Sequence, residues 1–344
     1  MASTSRKAAG TKSILRPSIT LKSHGEGIGP ISYFPDGQRM ISGNLDKTTR
    51  EWDLKAGKKI EEARSDWEGR VYVVAVSRNG RWVATGGGDR ERGNLQACEV
   101  ETGIVKTFNG HSRTINCVDI SADNTQLASG SDDFTARIWN LDTGKLVAGP
   151  FEIGDFVGAV RFSHDSKKLA VKSWAGRGYL EVWDVQSQKL DAKIGESGQF
   201  SGGPHSSSPV FWTNNNKTII TAFSFTEDND TIYEFDASTL KTVGTPFKGY
   251  TSYITGLALS FDDALLASAS RDNTIKLWAT ESRQLLASFD VLFISELVLS
   301  PDSRQLAYTT SIHDDHKICI CDIPPKVLAQ ARVRILQKHV LFVC

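Results

Sequence analysis

The stretch LASGSDDFTARIWN, Leu127–Asn140, sets Ser129, Asp133 and Trp139 four and then six residues apart, with the pair Gly110-His111 ahead of it. Those residue types allow two readings. Serine, histidine and aspartate are the parts of a nucleophilic triad, which needs an exposed, base-activated serine and an oxyanion hole. They are equally the parts of a structural hydrogen-bond chain, because an indole N–H can only donate and a buried carboxylate needs donors around it. Recurrence separates the two, since an active site is built once.

The spacing recurs. MISGNLDKTTREWD offers Ser42, Asp46 and Trp52, and LASASRDNTIKLW offers Ser268, Asp272 and Trp278, with the same separations. Counting 18 residues back from Ser42, Ser129 and Ser268 lands on His24, His111 and Tyr250. Four further segments follow the template loosely, with Thr85, Val171, Thr221 and Tyr308 at the serine position and Cys98, Trp183, Phe235 and Cys321 near the tryptophan position. Six residues before each of the seven anchors stands Asp or Asn: Asp36, Asn79, Asp123, Asp165, Asn215, Asp262 and Asp302. Two before each stands an apolar residue: Met40, Val83, Leu127, Leu169, Ile219, Leu266 and Leu306. Successive anchors lie 43, 44, 42, 50, 47 and 40 residues apart.

Each unit reads as four short strands. The first alternates apolar and polar residues (INCVDIS, VGAVRFS, ITGLALS), the period of a strand with one buried face. It ends at the Asp/Asn position in a tight turn such as PDGQ, RNGR or ADNT. The second strand carries the anchor, the third the tryptophan position, and the fourth follows turns such as LDTGKL. A period of about 40–45 residues with four strands per unit is the signature of a β-propeller blade. The sequence therefore specifies an all-β, seven-bladed propeller of four antiparallel strands per blade.

At this point the chain resembles the WD40-repeat family, and among its members the stand-alone fungal proteins. The residues that carry the likeness are Gly110-His111, WDL at Trp52–Leu54, WNL at Trp139–Leu141 and WDV at Trp183–Val185, and it covers roughly residues 18–323. The resemblance implies that His24, Ser42, Asp46 and Trp52 form one structural tetrad and His111, Ser129, Asp133 and Trp139 another. Ser268, Asp272 and Trp278 are expected to form a shortened network, because Tyr250 replaces the histidine. Units two, four, five and seven lack complete sets, so apolar packing must hold them. No GxSxG accompanies any of these serines, and the anchor serine sits mid-strand between apolar neighbours. The structural reading is the stronger.

An open ring of blades leaves strand edges unpaired. SITLKS, ahead of His24, has the register of a fourth strand without a third strand of its own, so it is expected to complete the last blade. Residues 1–17 then form a basic arm, expected to be disordered, with a mitochondrial presequence as the lesser reading. Residues 324–344 lie outside the repeat and are compatible with a short helix, a strand against the propeller, or an irregular chain end.

Composition narrows the function. The 40 basic residues balance 40 acidic ones, which gives no global field for nucleic acid or an acidic membrane. No apolar run approaches the roughly 18 residues that span a bilayer. No GxxxxGK[ST] is present, which excludes a P-loop NTPase. Cys98, Cys117, Cys319, Cys321 and Cys344 form no CxxC pair; Cys319 and Cys321 share one strand face, but no further zinc ligands accompany them. Reduced thiols in a cytoplasmic or nuclear protein are expected, with no cofactor and no metal.

Propellers of this family usually bind proteins or peptides, so the resemblance implies a non-catalytic, monomeric scaffold. The loops leading into each blade and the loops between second and third strands should share one face, because the tetrad His and Asp come from them. Insertions gather there, in GESGQFSGGPHSSSP, GDRERGN, SWAGRGY, SFTEDND and SIHDDH. Trp67, Arg70, Tyr72, Arg113, Asp132, Phe156, Tyr253 and Arg271 are expected at the channel mouth on that face. Arg and aromatic side chains are the usual interface anchors. The alternative is a propeller hydrolase with a metal in its central channel, which would need several acidic residues converging from different first strands.

Overall fold

A computed structural model describes residues 15–22, 28–60, 69–89, 91–174, 178–195, 209–213, 215–225, 231–312 and 315–341. Their strands form seven antiparallel sheets arranged as the blades of a β-propeller. Six sheets have four strands. The fifth has three, and its outer strand is reduced to two isolated bridges, Ile232 with Phe247 and Phe235 with Thr242.

The blades share one register. In every blade the apolar residue two before the anchor pairs across the ladder with the tryptophan position: Met40 with Trp52, Val83 with Cys98, Leu127 with Trp139, Leu169 with Trp183, Ile219 with Phe235, Leu266 with Trp278 and Leu306 with Cys321. Variable loop length between second and third strands hides this pairing from a fixed-spacing search, but the ladder keeps it.

Each blade is hydrophobic on both faces, since each is sandwiched between two others. The buried apolar residues fall into seven clusters, one at each blade interface. Second strands such as Gln126–Ser131 and Leu265–Ser270 are therefore buried along nearly their whole length, polar residues included. The first strands stand innermost and touch one another around a central channel.

The turns after the first strands repeat one device. The residue following each Asp or Asn has positive φ: Gly37, Gly80, Asn124, Ser166, Asn216, Asp263 and Ser303. From the second to the seventh blade, a hydroxyl two residues before the Asp or Asn donates to its side chain, at 2.5–2.7 Å, from Ser77, Ser121, Ser163, Thr213, Ser260 and Ser300. The side chain thus supplies an acceptor that satisfies turn N–H groups and fixes the left-handed residue.

The ring closes through its two ends. Strand Ile19–Lys22 pairs with Asp315–Asp322 (Ile19 with Ile320, Leu21 with Ile318), so the seventh blade takes its outer strand from the beginning of the chain. Leu21 is 1% exposed and packs with Ile318, Ile320 and residues of the first blade. Leu15, which sequence assigns to the basic arm, is also buried, against the sixth and seventh blades. An apolar side chain so near the closing strand has a surface to pack on. Beyond Ile323 the chain forms a helix, Pro325–Leu341, which settles the open reading of the tail. Proline starts it where a missing N–H costs nothing. Val327 and Ala331 pack against the sixth and seventh blades, and Arg332 pairs with Asp262 at 2.7 Å.

Candidate protein-interaction face

The buried second strands create the problem that the tetrad residues solve. Ser129 is 0% exposed and needs partners for its hydroxyl. Trp139 Nε1 donates to Ser129 Oγ at 2.9 Å, and Ser129 Oγ lies 2.8 Å from His111 Nε2. His111 Nδ1 lies 2.8 Å from Asp133 Oδ2. One proton assignment satisfies the set: Nδ1–H donates to the carboxylate, and Nε2 accepts the serine proton. Burial holds the His111 pKa below its ordinary value despite the carboxylate, which keeps the ring neutral. Asp133 also accepts from Ser112 N, Thr135 N and Thr135 Oγ1. Burial raises its pKa, but His111 and these donors outweigh burial, and the carboxyl stays ionised. Gly110 precedes the histidine because a side chain there would run into the Trp139 ring, 2.9 Å from an ideal Cβ.

The arrangement has the connectivity of a catalytic triad and the burial of a truss. Ser129 shares its oxygen with the Trp139 indole and is sealed from solvent, so no substrate reaches it. The chain ties the loop leading into the third blade to its second and third strands.

In the first blade Trp52 donates to Ser42 at 2.9 Å, and Asp46 accepts from Thr48 N and Thr48 Oγ1, with Arg50 at 3.5 Å. His24 lies outside the described residues. In the sixth blade Trp278 donates to Ser268 at 2.9 Å and lies 3.1 Å from the Tyr250 hydroxyl, which also bonds Ser268. Tyr250 has a single hydroxyl, taken up by Ser268 and Trp278, so it lacks the second polar atom with which His111 reaches Asp133. Asp272 instead accepts from Thr251 N and Thr274, and Lys276 Nζ sits between it (3.6 Å) and the Tyr250 ring (4.1 Å). A tyrosine and a lysine together stand where another blade uses one histidine.

The fourth blade departs from expectation, because apolar packing is not all that holds it. Trp183 donates to Glu181 Oε2 at 2.9 Å, and Glu181, 1% exposed, pairs with Lys193 at 2.7 Å. Glu181 supplies the acceptor that Val171 cannot.

These networks place the loops leading into the blades beside the loops between second and third strands, on one face, called here the loop face. Within single blades, Asp132 N donates to Thr114 O, Trp174 N to Phe156 O and Arg271 N to Tyr253 O, at 2.8–2.9 Å. Arg113 and Asp132 are thereby brought together on the third blade, with Asp132 Oδ1 accepting from Asn116. Tyr253 and Arg271 meet on the sixth. Phe156 packs on Phe134, ring centroids 5.1 Å apart. Arg70, Arg113 and Arg271 are exposed, and Tyr72, Phe156 and Tyr253 are half-buried. Of the described set, Tyr72 alone lines the channel cavity; the others stand outside its wall. Trp67 lies outside the described residues, as do 196–208, 226–230 and parts of the other irregular loops.

Sequence reasoning passed over three side chains on this face. Leu292 and Phe293, in the loop leading into the seventh blade, are 54% and 59% exposed, and Phe225 is 47% exposed after the second strand of the fifth. Phe293 N lies 3.3 Å from Asn273 Oδ1, which sets this apolar pair beside Arg271 and Asp272. No periodic signal marks them, because they are loop residues outside the blade template.

Two carboxylates, Asp119 and Glu296, reach the channel wall from first strands. Among the described residues no three His, Cys, Asp or Glu side chains come together as a metal site. Cys98, Cys117, Cys319 and Cys321 are buried free thiols. Among the described residues no helix is long and apolar enough to cross a membrane.

Comparison with known proteins now bears on the fold. The family model "WD domain, G-beta repeat" matches residues 15–53, 103–140 and 240–279, the windows that hold the first, third and sixth blades' serine, aspartate and tryptophan. Three blades of the protein carry WD40 repeats, on a seven-bladed propeller fold. Eukaryotic translation initiation factor 3 subunit I of Bombyx mori is 30% identical over 187 residues, covering 53% of this chain and 55% of that protein. Cell division cycle 20.1, cofactor of APC complex, of Arabidopsis thaliana is 21% identical over 267 residues, 76% and 56% respectively. Small ribosomal subunit protein RACK1 of Caenorhabditis elegans is 25% identical over 261 residues, 61% and 77%. This WD40 chain thus spans little more than half the length of the initiation-factor and cell-division-cycle relatives.

Proposed function

We propose that the protein is a non-catalytic scaffold, monomeric in itself, that holds a protein or peptide partner on its loop face. The observation that carries this reading is the sector of the sixth and seventh blades where exposed Arg271 and half-buried Tyr253 stand beside exposed Leu292 and Phe293. Aromatic, apolar and arginine side chains grouped on a rigid support are what an interface core is made of. The tetrads and their substitutes supply the support. Relatives whose names place them in an initiation factor, a ribosomal subunit and an APC complex favour a partner that is itself a protein assembly component. Buried free thiols suit a reducing compartment, the cytoplasm or nucleus. Balanced charge makes nucleic acid an unfavoured partner and predicts only moderate salt sensitivity of binding.

The test is quantitative capture of partners by wild type and by an Arg113→Ala, Tyr253→Ala, Arg271→Ala triple variant, with Lys55→Ala, Lys58→Ala on the opposite face as control. None of the three holds a blade together through its side chain in a tetrad. Hot-spot truncations cost about 2 kcal/mol or more each, so partner recovery should collapse in the triple variant and persist in the control. Equal recovery by the triple variant, with loss in the control, would assign the partner to the other face.

A further inference from the structure

The opposite end of the channel carries chemistry that the scaffold reading leaves unused. The central cavity, about 800 Å³, is lined by the first strands and their turns. At the turn end, the residue just before each turn Asp or Asn forms the rim: Pro35, Arg78, Ala122, His164, Phe261 and Pro301 in the blades whose rim residue is described. The rim is two-sided. Blades two to four contribute Arg78, small Ala122 and His164, whereas blades six, seven and one contribute Phe261, 72% exposed, and two prolines.

Just inside the charged side, Arg161 Nη1 pairs with Asp119 Oδ1 at 3.0 Å and its guanidinium lies over the Phe211 ring at 4.9 Å. The other Asp119 oxygen accepts from Phe162 N at 2.8 Å. Each Asp119 oxygen therefore holds one donor. Arg78, on the neighbouring blade, has no hydrogen bond or ion pair of its side chain among the described residues. His164 donates Nδ1–H to Asn216 Oδ1 at 3.2 Å, so its Nε2 becomes a donor to an anion once the ring is protonated. Two arginines and a histidine thus converge on one carboxylate, an excess of cationic over anionic groups. The other carboxylates of the wall, Asp263 and Glu296, belong to blades six and seven on the far side. Burial disfavours the charge on Arg78, the nearby Asp119 carboxylate only partly offsets it and Arg161 opposes it further, and burial lowers the His164 pKa. An incoming anion relieves both.

We propose that the turn end of the channel binds a phosphorylated serine or threonine side chain of a peptide, with Arg78, Arg161 and His164 receiving the phosphate and Phe261 receiving an apolar neighbour. A doubly charged, multidentate acceptor matches a planar guanidinium better than a single carboxylate does. The apolar half of the rim argues for a group carried on a peptide rather than for a free ion. This site is separate from the loop face, and neither proposal depends on the other.

Titration calorimetry with the acetylated, amidated tripeptide Ala-phosphoserine-Phe, its unphosphorylated form, and inorganic phosphate tests the assignment. The phosphopeptide should bind at least about tenfold more tightly than either comparison, a margin of one charge-assisted contact. Arg78→Ala should lose about tenfold or more, Arg78→Glu should abolish binding, and Phe261→Ala should narrow the margin over inorganic phosphate. Arg78 holds nothing in place, so these variants fold; Arg161→Lys supplies a second cation test that keeps the Asp119 partner. Arg271→Ala should bind as wild type. The proposal is overturned if no probe binds, if Arg78→Ala binds unchanged, if the unphosphorylated peptide binds equally, or if inorganic phosphate binds as tightly as the phosphopeptide.

Discussion

Replacing Glu296 by glutamine tests the electrostatics of the channel wall. The carboxyl lies on the first strand of the seventh blade, Ile294–Leu299, and burial alone pushes its pKa up to about 7, with no cation offsetting it. Its backbone N–H donates to Thr309 Oγ1 at 3.0 Å, a bond the substitution leaves in place. In the unfolded chain a glutamate titrates near 4.3. The folded state therefore keeps a proton that the unfolded state has released. The stability tied to that proton is fully present below about pH 4.3 and is lost as pH rises through 7. Each pKa unit is worth about 1.4 kcal/mol, so ionisation of this carboxyl disfavours the fold by about 3.6 kcal/mol at pH 8 and about 1 kcal/mol at pH 5. Unfolding entropy of about 2.1 cal/mol/K per residue gives roughly 0.7 kcal/mol/K for this chain length, so Glu296→Gln should raise Tm by about 5 °C at pH 8. Near pH 5 the gain should shrink to between about 1 and 2 °C. Differential scanning calorimetry at fixed scan rate and ionic strength reads both. A gain independent of pH, or none at pH 8, would refute the reasoning.

Asp133→Ala strands the His111 Nδ1–H and frees Ser112 N and Thr135 Oγ1, and should cost about 2–4 kcal/mol in urea unfolding followed by tryptophan fluorescence. Stability left intact, together with loss of a hydrolytic activity, would make the tetrad catalytic after all. Deleting residues 1–22 strips the outer strand of the seventh blade and bares the edge Asp315–Asp322, so melting should fall sharply and higher oligomers should appear on a sizing column. An unchanged profile would mean that closure does not rest on that strand. Arg332→Ala should cost less than about 1 kcal/mol, as half-exposed ion pairs do. Ala331→Asp, by contrast, puts a charge between the helix and the blades and should speed proteolytic cleavage after Pro325. Equal cleavage rates would detach the helix from the stability of the ring.

The fold was legible because two features of each unit are forced by geometry. A turn that needs a left-handed residue selects Asp or Asn before it, and a strand sandwiched between blades selects an apolar residue opposite the tryptophan position. Those requirements hold in all seven units, even where the tetrad decays. The sequence did not betray Glu181 as the partner of Trp183, because a glutamate within a strand ordinarily signals solvent and only the Lys193 pairing makes its burial tolerable. The turn hydroxyls, Ser121 and its equivalents, read as strand-end polar residues until their bonds to the Asp side chains are seen. Arg78, Asp119 and Arg161 come one from each of three consecutive blades; Asp119 and Arg161 share a template position and Arg78 does not, and only the closing of neighbouring blades around the channel brings the three together. Leu292 and Phe293 stand in a loop, where apolar residues carry no period.

The strand Ile19–Lys22 also sets a timetable. Ser18 bonds Ile320 across a sequence separation of 302 residues, so this strand is made long before the strand it pairs with. At ribosomal rates of about 5–20 residues per second, that strand waits roughly 15–60 s for its partner. Six blade interfaces can form during the wait, since each needs only sequence neighbours. The seventh requires closing a loop that costs about 5 kcal/mol in chain entropy if nothing between is folded, and far less once a curved stack of blades has already brought the ends together. The stack is thus its own template for closure, and the strand left waiting is the segment a chaperone would have to shield.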